Sequence, residues 1–275
     1  MYKDTQTGAT AAPLSISRLK KMKRDGEKIA CLTAYDASFA VQADQAGVDL
    51  VLVGDSLGMV IQGHETTVPV TVDDIVYHTK MVARGLSRAF LVADMPFASY
   101  GSVEAAYSNA ARLMQEGGAR MVKLEGGPVQ IGLAEYLAGR GIPVCAHLGL
   151  QPQFVHKLGG YKVQGREASA AEAMRDDAKR LVEAGADLLL LECVPSVLAK
   201  QIATEVSVPV IGIGAGPDAD GQILVIYDIL AISAGKRPKF SKDFLQSSGS
   251  IPAALQAYVR AVKERQFPEP IHEFV

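Results

Sequence analysis

The sequence predicts a single-domain (β/α)8 TIM barrel with a short N-terminal helix, and three observations carry that prediction. Apolar runs bounded by turn residues recur eight times in the 275 residues. Their hydrophobicity is continuous rather than alternating, which marks strands buried on both faces of a parallel sheet. Helical patterns separate most of the runs and no composition break marks a linker, so repeated βαβ units fill one domain. The length suits a closed barrel, which commonly reaches this size as one domain.

Taken in order, residues 1–14 form an N-terminal tail, 15–265 the barrel and 266–275 a C-terminal tail. Ile16, Leu19 and Met22 fall at helical spacing, so the basic run Arg18-Leu-Lys-Lys-Met-Lys-Arg24 is the solvated face of a short helix. The runs Ile29–Tyr35, Asp49–Val53, Ala89–Ala93, Ala119–Leu124, Ile142–His147, Asp187–Leu191, Val208–Ile213 and Gln222–Ile226 are the predicted strands. Asp36 reads as the cap of the helix after the first strand. Thr71 caps a stripe of Ile75, Val76, Thr79, Val82, Ala83 and Leu86, with Asp73 and Asp74 in its first turn. A second stripe, from Val103 to Met114, follows Ser102, and Ser169-Ala-Ala-Glu172 is a capping-box pattern opening a helix that runs to about Glu183. Ala46-Gly-Val-Asp-Leu-Val-Leu-Val53 is repeated as Ala184-Gly-Ala-Asp-Leu-Leu-Leu-Leu191, with a glycine at the helix end before a buried strand. Between the seventh and eighth strands, Gly214–Gly221 leaves room for only a very short helix. The prolines of Phe267-Pro-Glu-Pro-Ile-His-Glu-Phe274 prevent a continuing helix, so the tail reads as a loose terminus or, alternatively, as a segment docked on a neighbouring subunit.

Composition excludes several classes. Lys and Arg (28) nearly balance Asp and Glu (30), so no global field points to nucleic acid or membrane. No apolar stretch approaches the ~20 residues of a membrane span. The N-terminus has neither a secretory h-region nor the Arg-rich character of a transit peptide. Cys31, Cys145 and Cys193 sit in apolar runs without CxxC spacing, as buried thiols of a reducing compartment do. The expectation is a soluble, cytoplasmic protein.

The residues that close the apolar runs are chemically selected: Asp36, Asp55-Ser56, Asp94, Lys123 with Glu125, His147, Glu192, Gly214-Ala-Gly216 and Asp228. In a barrel such positions converge on the catalytic face. One carboxylate after a strand is ordinarily a helix cap, but five among the first six strands exceed that role. Asp55, Asp94 and Glu125 come from neighbouring strands and offer the hard oxygen donors that Mg²⁺ prefers. His64, His78, His147, His156 and His272 are dispersed, without zinc spacing. The structural alternative pairs these carboxylates with Lys123 and Arg166. Alternation along the strand turns Lys123 inward beside Glu125, where a carboxylate substrate would supply its partner charge. Glu192 follows Leu188–Leu191, an apolar setting suited to a general base. Leu57–Glu65 and Phe154–Arg166 are glycine-bearing segments read as lids or as passive loops. Gly212-Ile-Gly-Ala-Gly216 could accept an anion on backbone amides.

Read together, Thr33-Ala-Tyr-Asp36, Val53-Gly-Asp-Ser-Leu-Gly58, Gln62-Gly-His64, Pro69-Val-Thr-Val72, Tyr77-His-Thr79, Ala93-Asp-Met-Pro-Phe97, Met121-Val-Lys-Leu-Glu-Gly-Gly127, His147-Leu-Gly-Leu150, Gly159-Gly-Tyr-Lys-Val-Gln-Gly-Arg166, Leu191-Glu-Cys-Val194 and Ile211-Gly-Ile-Gly-Ala-Gly216 resemble the ketopantoate hydroxymethyltransferase family. The ordered set spans residues 15 to about 265. The resemblance implies transfer of a hydroxymethyl group from 5,10-methylenetetrahydrofolate to 3-methyl-2-oxobutanoate, giving 2-dehydropantoate in pantothenate biosynthesis through a Mg²⁺-stabilised enolate. It implies a metal site at Asp55, Asp94 and Glu125, an oxo-acid site at Asp55, Ser56, Asp94 and Lys123, and Glu192 as proton acceptor. His147 is a possible substrate contact or a purely structural residue. A cytoplasmic homo-oligomer, typically a decamer, is also implied. Three alternatives stay open here: a barrel of the phosphoenolpyruvate mutase and isocitrate lyase group, a Schiff-base aldolase using Lys123, and a non-catalytic binding barrel. The first lacks support because the Lys-Lys-Cys-Gly-His segment of that group is absent.

Overall fold

In the computed structural model, which describes residues 12–235 and 237–275, eight parallel strands close into a barrel in sequence order. They are β1 (Ile29–Thr33), β2 (Leu50–Val53), β3 (Phe90–Asp94), β4 (Met121–Glu125), β5 (Val144–Gly149), β6 (Leu188–Glu192), β7 (Val210–Ile213) and β8 (Gly221–Leu224). Every predicted run supplies one strand. The fifth is shifted by two residues at both ends, to Val144–Gly149. In the last, Ile226 leaves the ladder: its amide donates to Thr33 Oγ1 at 3.1 Å and opens a helical turn over Ile226–Ile229. Of the predicted N-terminal tail, residues 1–11 lie outside the described residues.

Helices Ile16–Arg24, Ala37–Ala46, Val72–Gly85, Val103–Gln115, Ile131–Ala138, Ala168–Glu183, Ser196–Glu205 and Ile251–Lys263 surround the sheet. Asp36 caps its helix through the Phe39 amide at 2.9 Å. Thr71 and Asp74 form a reciprocal capping box, and Ser102 accepts from the Ala105 amide. Ser169 does not cap: its helix already begins at Ala168, with Glu167 at the N-cap making no side-chain bond, so Ser169 lies within the first turn. Alanines from 168 onward favour helix strongly enough to start it ahead of the serine. No helix joins β7 to β8 among the described residues, and the short connection leaves the joint to other elements. The Ile251–Lys263 helix closes it. The buried Tyr258 hydroxyl lies 2.8 Å from the Cys31 carbonyl on β1 and 2.9 Å from that of Gln222 on β8.

Inside the barrel, Leu50, Leu52, Val92, Cys145, Leu188, Leu190, Ile211 and Ile223 leave a void of only about 10 Å³. The interior is therefore a packed core rather than a pore. The three cysteines are buried and free. The C-terminal tail is not loose. Phe267 and His272 are buried, and Phe267 packs edge-on against Phe244 and Tyr258. The Ser196 amide donates to the Phe274 carbonyl at 3.1 Å, which brings the tail over the C-terminal ends of the strands. The helix ends at Lys263, ahead of Pro268 and Pro270, with Arg265 at φ +60°, and aromatic burial then anchors the segment.

β8 is the narrow seam. It meets β7 at only Ile211↔Gly221 and Gly212↔Gln222. A Cβ on Gly221 would stand 2.4 Å from the Ile29 carbonyl oxygen and 2.7 Å from Ile211 Cδ1. We expect Gly221→Ala to destabilise the barrel by about 1–3 kcal/mol through overpacking. Thermal denaturation should show Tm falling by roughly 2–4 °C per kcal/mol. An unchanged Tm would show that the seam relaxes freely.

Candidate active site

The strand register sets the site. Lys123 stands opposite Asp94 across β3–β4, and Glu125 opposite His147 across β4–β5. Lys123 and Glu125 are two apart on one strand and so share its inward face. Asp55 follows β2, and Glu192 ends β6. These groups line one wall of a cavity of about 650 Å³ at the C-terminal mouth.

The cluster is almost dry. Lys123 Nζ is 2.6 Å from Asp94 Oδ1, 3.4 Å from Glu125 Oε1 and 3.3 Å from His147 Nδ1. His147 Nδ1 is 3.4 Å from Glu125 Oε1, and its Nε2 is 3.4 Å from Glu192 Oε2. The Asp55 amide donates to Asp94 Oδ2 at 2.9 Å. Ser56 Oγ and the buried Tyr35 hydroxyl are 2.9 Å apart. Arg166 is exposed, so among the cations predicted for the cluster only Lys123 joins it.

Charge is unbalanced there. Burial opposes an ionised Lys123, but Asp94, Glu125 and Asp55 outweigh it and hold the ammonium well above the ordinary lysine value. Burial, with the charges of Asp94 and Glu125, pushes Asp55 well above the carboxylate range. Asp94 also rises, because burial outweighs the Lys123 attraction. Glu125 goes the other way: burial opposes ionisation, yet Lys123, His147 and the Gln153 amide hold it ionised. For His147, burial and Lys123 disfavour protonation, and Glu125 with Glu192 more than offsets them.

The donor set fits a hard dication. Asp94 Oδ1 has no hydrogen bond despite the nearby ammonium, and one ammonium faces the carboxylates of Asp55, Asp94 and Glu125. Among the described residues, no three His, Cys, Asp or Glu side chains are spaced to enclose a metal. Glu125 is engaged at both oxygens, by Lys123 and His147 on one side and the Gln153 amide at 3.0 Å on the other. Mg²⁺ tolerates such a sparse protein shell, because it keeps waters or substrate oxygens beside one or two carboxylates.

Gln153 and Tyr100 escaped sequence reading. Gln153 Nε2 donates to Asp55 Oδ2 at 2.8 Å and to the Met95 carbonyl at 3.0 Å, and its Oε1 accepts from Tyr100 at 2.5 Å. The only available signal was a glutamine beside Pro152 after the fifth strand; nothing marked Tyr100. Within the two glycine-bearing segments, Leu57–Val60 and Val155–Leu158 are helical turns, and the Tyr161 hydroxyl reaches Met59 Sδ at 3.5 Å between them. The Gly212–Gly216 segment is needed for close packing: Gly214 has φ +59°, and its missing Cβ leaves room for the Phe240 and Phe274 rings.

A closed (β/α)8 barrel with a desolvated acid, amine and imidazole cluster at its C-terminal mouth defines a barrel enzyme. Comparison with known proteins narrows the class. The family model for ketopantoate hydroxymethyltransferase matches residues 13–270, and the chain belongs to that family. It is 61% identical over 265 residues to the 3-methyl-2-oxobutanoate hydroxymethyltransferase of Alkalilimnicola ehrlichii, covering 96% of each chain. The protein of the same name from Halorhodospira halophila is 58% identical over 266 residues, covering 97% of this chain and 96% of that one. Among solved structures, phosphonopyruvate hydrolase with oxalate and Mg²⁺ superposes with a TM-score of 0.60 at 15% identity, over 86% of this chain and 88% of that one. A 2,3-dimethylmalate lyase of the PEP mutase/isocitrate lyase superfamily gives 0.57 at 15% identity, over 87% and 90%. At that identity the likeness concerns the fold alone.

Gln153 yields a test. Gln153→Ala leaves buried oxygens of Asp55 and Tyr100 short of a partner, and should destabilise by about 1–3 kcal/mol per group left unsatisfied. Gln153→Glu adds a carboxylate that burial keeps protonated in the folded state. The folded protein then binds more protons than the unfolded one, so its stability should fall as pH rises above the ordinary glutamate value. Urea denaturation of Gln153→Glu at pH 5 and pH 8 checks the sign; equal loss at both would contradict the charge argument.

Proposed function

We propose that this enzyme transfers a hydroxymethyl group from 5,10-methylenetetrahydrofolate to 3-methyl-2-oxobutanoate, giving 2-dehydropantoate for pantothenate biosynthesis. The observation that carries the reading is one cavity lined by Glu192 together with Asp55, Asp94 and Lys123. A protonated Lys123 meets the substrate carboxylate, and Ser56 donates to a substrate oxygen. Asp55 and Asp94 would hold Mg²⁺, with Glu125 completing the site through its charge, and the bound ion would supply the Lewis acidity that acidifies C3–H of the oxo acid.

Glu192 accepts the C3 proton. The released electron pair forms the new C–C bond to the methylene carbon, both bonds from that carbon to folate nitrogen break, and water supplies the hydroxyl oxygen. The C3 proton and one proton of the water end on those nitrogens, and tetrahydrofolate leaves. His147, between Glu125 and Glu192, orients the base and can stabilise it by hydrogen bonding. A Schiff base requires a neutral amine. The carboxylates around Lys123 keep it charged, which favours an electrostatic role over a nucleophilic one. The reading extends to a cytoplasmic homo-oligomer, a decamer in the family.

Direct assay of 2-dehydropantoate formation tests the proposal. Activity should require Mg²⁺ and vanish with a chelator, and Asp94→Asn should weaken Mg²⁺ binding in calorimetric titration. No product with both substrates and metal supplied would overturn the assignment.

Glu192→Gln separates binding from proton abstraction. The variant should still bind 3-methyl-2-oxobutanoate, while exchange of C3–H with solvent deuterium, followed by NMR without folate, should slow by about 10²–10⁴-fold. Exchange at the parent rate in a folded, substrate-binding variant would remove Glu192 as the base.

A further inference from the structure

The oxo-acid cluster occupies one wall of the cavity. The opposite wall comes from β8 and the chain beyond it, and includes Asp228, Ser233, Phe240 and Phe274. Asp228 is one of the acidic residues that follow the apolar runs, and the reaction derived above gives it no task. It is 7% exposed, and Ser233 Oγ donates to its Oδ1 at 2.5 Å. Burial pushes this carboxyl above the ordinary aspartate range. Among the described residues Ser233 is its side-chain hydrogen-bond donor, with Arg237 acting on it through charge, and a ligand with further donors would offset the cost of burying it.

Two aromatic rings line the same cavity. Phe240 Cδ1 and Phe274 Cε2 would each lie 3.0 Å from a Cβ on Gly214, so both rings close on the same point of the mouth. Aromatic rings and a buried carboxylate in one cavity suit a planar heterocycle with paired N–H donors on one edge, although Lys239 Nζ stands 5.1 Å over the Phe274 ring and leaves the rest of the ring surface for it. A reduced pterin has that form: its pyrimidine edge carries a 2-amino group beside N3–H, spaced to meet both oxygens of a carboxylate.

We propose that Asp228 accepts hydrogen bonds from the 2-amino and N3–H groups of the pterin of the folate substrate, with Phe240 and Phe274 against the ring system. The inference rests on the folate reading above, and it names the residues that recognise the second substrate. A pterin bound there shares one cavity with the oxo acid, as direct group transfer requires. Asp228 is a specificity residue, outside the machinery that removes the C3 proton.

Calorimetry with tetrahydrofolate and with 6-methyltetrahydropterin, under reducing conditions, tests this. Asp228→Asn should weaken both ligands alike, by about 10- to 100-fold, as expected for loss of charge-assisted hydrogen bonds. Deuterium exchange at C3 of the oxo acid should continue at the parent rate. Ser233→Ala should keep pterin affinity close to the parent. Unchanged tetrahydropterin affinity in Asp228→Asn would overturn the proposal, as would an equal loss in Ser233→Ala, which would assign the carboxylate to loop support. If Asp228→Asn does not fold, a 2-desamino tetrahydropterin is titrated into the parent protein. Weaker binding than the 2-amino compound supports the contact, and parity overturns it. A parent protein that exchanges C3–H but binds no tetrahydrofolate refutes the folate reading, and this inference with it. Tetrahydrofolate bound equally by parent and Asp228→Asn refutes the inference alone.

Discussion

Lys123 is an ammonium removed from water and surrounded by Asp94, Glu125 and the more distant Asp55. Taking such a charge from solvent carries a desolvation penalty of several kcal/mol, offset only when partners are close and well directed. The partners come from neighbouring strands, so the cluster holds together only in this barrel register. Each polar group then acquires a second obligation. Gln153 ties Asp55 to Met95 and Tyr100, while its amide ties Glu125. His147 connects Glu125 to Glu192. The fold and the site are therefore one electrostatic problem, solved at the ends of β2 to β6.

Below that cluster the barrel is apolar and full. Leucines, valines and isoleucines leave almost no free volume, which keeps water away from Lys123 on its underside. Above it lies the cavity, lined in part by the two glycine-bearing segments and by Phe274 of the C-terminal tail. The unequal balance of acids over one amine is tolerable because the site faces that cavity, where the dication and anionic substrate proposed above would bind together. This pairing also favours a charged lysine over a nucleophilic one.

Much of this was legible in the residues. Continuous apolar runs located all eight strands, since a strand buried on both faces must be apolar throughout. The acids, Lys123, His147 and Glu192 could be recognised because each interrupts the chain where apolar sequence ends. Asp36, Thr71 and Ser102 were readable as caps, because capping is a local bond within one turn. Ser169 misled for the same reason: the motif was present, but the preceding alanine had already entered the helix. The tail misled too, since prolines report only on helix continuation.

The sequence by itself determined the strand set, the acidic and basic residues of the mouth and, through the ordered motifs, the family. Those are properties of segments, fixed by periodicity and residue type. Tertiary structure decided which groups meet. It joined Gln153 to Asp55 across 98 positions, brought Tyr100 beside Glu125, and set the Phe274 ring against Gly214. It also showed that Asp55, Asp94 and Glu125 share a wall without forming a closed ring of metal ligands. Such contacts depend on strand register and loop path, and a hydrogen bond between distant residues leaves no periodic trace in the chain that makes it.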